Sequence, residues 1–250
     1  TNAAIIDEQG AAITNHAHPY YKKFDQPNRT RQSWLNYFFY KGNALCHPSV
    51  LTRKACYDNV GPYRSGLIQL PDLDMWVRLG MKYEIHVLPQ ELVQFRVLRD
   101  ESAASGNRPA TRIRTQYETL KILENYKNIP NITELLKIFP EAKPYLNTKH
   151  PDHLYALGRV AVEFGTQMPT RLFGLNLLFE ALNDPERAQP LEEHYGFNQK
   201  VFMALAGTHD IFSIEDNHES SLLTDVRRFY RSIQRKWWKV WGTRDHNRKI

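Results

Sequence analysis

Only two of the 250 residues are cysteine, Cys46 and Cys56. Two thiols make no disulfide framework and cannot complete a four-cysteine zinc site. A reducing, cytoplasmic setting is the expectation. No apolar run approaches the ~20 residues a membrane-crossing helix needs. Glycine-rich phosphate loops are missing, and the ten histidines are scattered with no His-Glu-x-x-His spacing. Apolar residues make up 42% and charged residues 24%, which excludes disorder, collagen and coiled coil as readings of the whole chain. The length suits one large domain or two modest ones. The chain opens on Thr1 and runs at once into strand-like sequence, which reads as a piece of a longer protein.

The formal net charge of +6 is unevenly placed. Residues 226–250 carry nine basic residues and one acid, Asp245, leaving 24 basic and 26 acidic residues elsewhere. The basicity therefore belongs to the tail. A nucleic-acid-binding body would need a basic face of its own, so nucleic acid is not expected as a partner. Within the tail, Leu222, Val226, Phe229, Tyr230, Ile233, Trp237 and Trp241 recur at spacings of three and four. Arg227, Arg231, Arg235 and Lys239 form a separate row. This pattern predicts a basic amphipathic helix over 222–241 that lies on a membrane surface. The alternative is an apolar stripe docked on the protein's own helices.

Upstream, Ala3–Ile6, a turn at Asp7–Gly10 and Ala11–Ile13 read as a small hairpin. Helices are expected over Arg31–Tyr40, Thr52–Asn59, Asp72–Tyr83 and from Pro109 to about Tyr126. The last should bury Ile113, Tyr117, Leu120 and Leu123. Strands are expected over Ala44–Leu51, Glu84–Leu88 and Leu92–Val97. After a boundary at Asn128–Asn131 the pattern turns helical, over Thr133–Phe139, Asp152–Phe164, Thr170–Leu182 and Asn198–Leu205.

Four motifs follow one another in the first half. They are Gly42-Asn43 with His47-Pro48-Ser49; Gly61-Pro62-Tyr63; Pro71-Asp72-Leu73-Asp74-Met75-Trp76-Val77-Arg78-Leu79; and Leu88-Pro89-Gln90-Glu91-Leu92 with Phe95-Arg96. In this order they resemble the acceptor-side half of family 2 glycosyltransferases of GT-A fold, over about Ala3–Tyr126. The resemblance implies an α/β architecture. A partial GT-A-type, Rossmann-like mixed sheet with flanking helices would occupy residues 1–128. An all-helical C-terminal region follows, with an appendix over 129–215 and the basic amphipathic helix and tail over 216–250. Half a sheet leaves an unpaired edge, so self-association is also expected.

Inverting sugar transfer needs a base that takes the acceptor hydroxyl's proton. It also needs positive charge on the leaving diphosphate, usually a divalent metal. Asp72 matches the family's catalytic base; a helix N-cap is the simpler reading of the same residue. Residues two apart do not share a helix face, so Asp74 is no partner carboxylate. It is grouped with the substrate-side residues as one that caps the helix or orients a neighbour. Asp72-Leu73-Asp74 also spells the family's metal motif, but that motif ends a buried strand and this one opens a helix. The Mg or Mn cofactor's ligands and the nucleotide-binding half are therefore expected upstream of Thr1, with no metal ligand here. His47 and Ser49 fall on the family's cleft-lining His-x-Ser, with a satisfied strand histidine as the plain reading. Arg96 matches an arginine that approaches the donor phosphates, against a strand-end salt bridge. Two positions depart from the family pattern: Leu98 stands where a histidine is frequent, and Pro71 replaces an acidic or amide residue.

The resemblance thus implies transfer of a sugar from a nucleotide-diphospho-sugar to a saccharide or lipid-linked acceptor in cell-surface polysaccharide or lipopolysaccharide assembly. It implies a cytoplasmic location, peripheral on the inner face of the plasma membrane. The activity would belong to the full-length enzyme, this chain alone being inactive. The rival reading is a non-catalytic, membrane-associated helical adaptor derived from a transferase half.

Overall fold

The computed structural model describes residues 1–98 and 106–214. The segment 222–241, read as a membrane-surface helix, lies outside the described residues. The chain divides into two units, 1–204 and 205–250. Of the second, residues 207–213 form short turns, with the Ile214 amide on the Asp210 carboxylate at 2.8 Å.

Helices dominate the first unit. α1 (Arg31–Lys41) starts where the Thr30 hydroxyl accepts the Ser33 amide and stops at Gly42, whose φ of 76° suits glycine. It buries Trp34, Leu35, Phe38 and Phe39. α2 (Lys54–Val60) and α3 (Pro71–Gly80) follow, the latter with proline in its first turn, where the missing N–H costs nothing. α4 (Pro109–Leu123) continues as a 3-10 turn to Asn128. α5 (Ile132–Ile138) and α6 (His153–Phe164) are capped by Asn131 and Asp152. α7 (Met168–Leu182), α8 (Pro185–Tyr195) and α9 (Gln199–Ala206) complete the described elements. Among the described residues no helix is long and apolar enough to cross a membrane.

The mixed Rossmann-like sheet expected for residues 1–128 does not form. The described residues contain one two-stranded parallel sheet, β1 (Asn2–Ile6) against β2 (Glu91–Arg96). Three expected strands fail for local reasons. Within Ala44–Leu51, Pro48 removes a ladder donor and the chain coils into a 3-10 turn, His47–Ser49. Glu84–Leu88 alternates in burial but forms no ladder, meeting β1 only where the Leu88 carbonyl accepts the Asn2 amide at 3.2 Å. Ala11–Ile13 returns along β1 only as a single antiparallel bridge, Ile6 to Ala12. The turn before it forms as read, with Gly10 at φ 90° and the Asp7 carboxylate accepting the Gln9 and Ala11 amides.

α8 was not among the expected helices. Pro185 occupies the first turn, the Asp184 carboxylate accepts the Glu186 amide, and Pro190 is accommodated inside. The face of α4 also differs. Ile113 and Tyr117 are 72% and 59% exposed, whereas Glu118, Ile122 and Leu123 are buried.

One apolar core joins residues on both sides of the boundary expected near 128, from Trp34 to Leu177. Phe39 meets Tyr126 and Phe139 edge-to-face at 5.0 and 4.7 Å, and the Tyr126 hydroxyl donates to the Leu35 carbonyl at 2.7 Å. α6 and α7 approach through glycine. A Cβ on Gly174 would stand 2.7 Å from the Gly158 carbonyl oxygen and 2.8 Å from the Ala161 Cβ. Gly174→Ala is therefore expected to cost about 1–3 kcal/mol in urea unfolding. Gly66→Ala, with open space around it, should stay within about 0.5 kcal/mol.

Candidate functional site

The site grows from the entry to α3. Glu118, 1% exposed on α4, accepts the amides of Ile68, Gln69 and Leu70 at 2.8–2.9 Å. These three residues precede Pro71, so the carboxylate fixes the path into the helix. Behind it, Asp74 is fully buried. It pairs with Arg78 Nε at 2.8 Å and Arg64 Nη1 at 3.3 Å, and accepts from Asn125 Nδ2 at 3.0 Å. Arg78 also donates to the carbonyls of Val60 and Pro62 at 2.6 and 2.9 Å. α3 is thereby tied to the end of α2 and to the turn after α4.

Asp72 is half-buried on the first turn of α3. One carboxylate oxygen accepts the Leu73 amide at 2.8 Å and the other accepts Asn43 Nδ2 at 2.6 Å. Asn43 is itself oriented, because its side-chain oxygen accepts the Leu45 amide at 3.0 Å. Among the described residues no cation stands within ion-pair distance of Asp72. Burial raises its pKa above the ordinary aspartate value. The Leu73 amide, the nearby His47 and Asn43 oppose that rise without cancelling it.

The surroundings are polar and aromatic. His47 Nε2 lies 3.1 Å from the Tyr63 hydroxyl, and its ring meets Trp76 edge-to-face at 5.6 Å. Burial raises the Tyr63 phenol, with smaller contributions from Tyr57 and the charge of Asp72. Desolvation lowers the Lys23 ammonium while Asp72 raises it, and Lys23 rests over the Tyr20 ring at 4.8 Å. Burial pushes the Cys46 thiol up, which makes it a poor nucleophile.

The structure brings Asp72 and His47 together but not the other expected site residues. Asp74, grouped with the substrate side, has no solvent-facing surface and acts as the buried anchor of α3. The Ser49 hydroxyl lies 2.8 Å from the carbonyls of both Thr1 and Cys46 and borders a separate cleft. Arg96 Nη1 donates to the carbonyls of Asp7 and Glu8 at 3.0 and 2.6 Å, bracing the turn after β1. Lys23, Glu118 and Asn125 were missed. Glu118 left one trace, an acid among apolar residues on a helix, which ordinarily marks a solvent face. Among the described residues no group of three His, Cys, Asp or Glu side chains could hold a metal.

This electrostatic balance predicts a pH effect on stability. Asp72 holds its proton more tightly folded than unfolded, so its contribution to stability falls as pH rises from about 4 through its raised pKa. Asp72→Asn removes that contribution. In urea unfolding, stability of the variant minus that of the parent should increase over this window and then level off. A decrease would contradict the assignment. Comparison of the chain with protein-family models, curated proteins and solved structures finds no match.

Proposed function

We propose that this chain carries the acceptor-side catalytic part of an inverting glycosyltransferase, with Asp72 as general base. The reaction moves a sugar from a nucleotide-diphospho-sugar to an acceptor hydroxyl during cell-surface polysaccharide or lipopolysaccharide assembly. Asp72 takes the proton of the hydroxyl as its oxygen bonds to the anomeric carbon. The bond from that carbon to the diphosphate breaks, and the nucleoside diphosphate leaves with the electron pair.

The observation that carries this reading is the state of Asp72. Asp74, two residues on, is held by Arg64 and Arg78, whereas among the described residues Asp72 has no cation within ion-pair distance. Desolvation raises the basicity of Asp72, while two donors fix its orientation. That combination suits proton abstraction. The order of motifs around Asp72, similar to that of family 2 glycosyltransferases, supplies the reaction class. The two-stranded sheet lends no support to donor binding.

The test uses the protein expressed from its complete gene. Nucleoside diphosphate release is followed from UDP- and GDP-sugars in the presence of a saccharide panel. Asp72→Asn should lower kcat by about 10²–10⁴-fold with little change in donor KM. Parent activity should fall on acidification as Asp72 protonates. Turnover that survives Asp72→Asn within a few-fold would sink the base assignment and favour the adaptor reading.

A further inference from the structure

Trp76 also lines a separate cleft of about 590 Å³, within the range of ligand-sized cavities. Two stretches of chain border it, Ser49–Arg53 and Tyr83–Leu88. Its walls are aliphatic: Leu45, Leu79 and Val87 are buried, while Val50 and Ile85 are half-buried. Leu51 and Leu88, on the two bordering stretches, are 99% and 45% exposed. Apolar surface left in water is unfavourable, and a ligand that covers it gains in proportion to the area removed.

Three polar side chains of the lining are already spent within the protein. The Ser49 hydroxyl lies 2.8 Å from the carbonyls of Thr1 and Cys46, and the Tyr83 hydroxyl accepts Asn59 Nδ2 at 2.6 Å. The Glu84 carboxylate accepts the Arg31 amide at 2.8 Å, so the first turn of α1 meets its charge. The Trp76 indole N–H is buried out of solvent and offers a ligand nothing. Arg53 differs. Its guanidinium is exposed and, among the described residues, has no carboxylate within ion-pair distance. Sugars, nucleotides and peptides carry donors and acceptors along their whole length, and aliphatic walls would leave those groups unpaired. A hydrocarbon chain carries none, and a negative group at one end of it answers Arg53.

We propose that this cleft binds a single aliphatic chain ending in an anionic group, such as a fatty carboxylate. The chain fills the space between Val50 and Val87, against Leu79, and the carboxylate meets Arg53 at the rim. Apolar burial supplies the affinity, and the one charge-assisted contact sets which end faces out. The site does not depend on the transferase reading, since neither Asp72 nor His47 lines it.

The test titrates the 250-residue chain with octanoate, decanoate and dodecanoate by calorimetry, below the concentrations at which they form micelles. Saturable one-to-one binding is expected, tightening by about fourfold for each added methylene. Methyl resonances of Val50, Leu79 and Val87 should shift on addition of dodecanoate. Val50→Trp fills the cleft and should weaken dodecanoate by about tenfold or more. Arg53→Gln, at an exposed position, should weaken decanoate by about two- to fivefold and leave decanol unchanged. Four results would overturn the proposal. These are absence of saturable binding, an affinity that does not rise from octanoate to dodecanoate, binding that leaves the three methyl resonances unmoved, and equal effects of Arg53→Gln on decanoate and decanol. The series and the methyl shifts use the unmodified chain, so they decide the matter even where Val50→Trp fails to fold.

Discussion

The buried carboxylate of Asp74 is the constraint on which the rest of the first unit depends. It lies wholly out of solvent, yet both its oxygens are engaged, by Arg78, Arg64 and Asn125. An unpaired charge at that depth would cost several kcal/mol; met by two guanidinium groups and an amide, it instead fixes geometry. Arg78 carries the constraint outward to the carbonyls at the end of α2, and Asn125 carries it to the turn after α4. Glu118 adds a second clamp one turn earlier by gathering three amides just before Pro71. Between them the two acids set both the position and the rotation of α3.

The consequence reaches the candidate site through helix geometry. Asp72 and Asp74 are two residues apart and so point from different faces. With Arg64 and Arg78 engaged behind the helix, no arginine among the described residues is in ion-pair range of Asp72. Its bonds are a backbone amide and an asparagine, both neutral, and its electrostatic neighbours are His47, Lys23 and Tyr63. Burial therefore outweighs stabilisation of the charge, and the carboxylate stays more basic than an aspartate in water. Nearly identical sequence neighbours thus take opposite roles, one holding the fold and one facing a polar, aromatic surface.

Much of the helical framework was legible because its signals are local. Thr30, Asn131 and Asp152 cap the helices they precede, and Pro71 and Pro109 stand where a first turn tolerates them. The different faces of Asp72 and Asp74 could be read from spacing alone, though not which of them would be buried. The sheet was not legible, because a strand exists only beside another strand. Glu84–Leu88 has the alternation but only one main-chain bond to a strand, at Leu88, and His47-Pro48-Ser49 coils instead. Glu118 escaped notice because its three partners lie about fifty residues away in sequence. The same distance effect separated Ser49 and Arg96 from Asp72: each finds backbone carbonyls near the ends of β1 before it can reach the first turn of α3.

The most direct test is the protonation of Asp72 itself, read by carbon-13 NMR titration of its carboxyl in the intact chain and assigned by its loss in Asp72→Asn. The account predicts a midpoint clearly above the ordinary aspartate value of about 3.9. A midpoint at or below that value would mean that the hydrogen bonds outweigh burial, and the case for Asp72 as a poised base would fail.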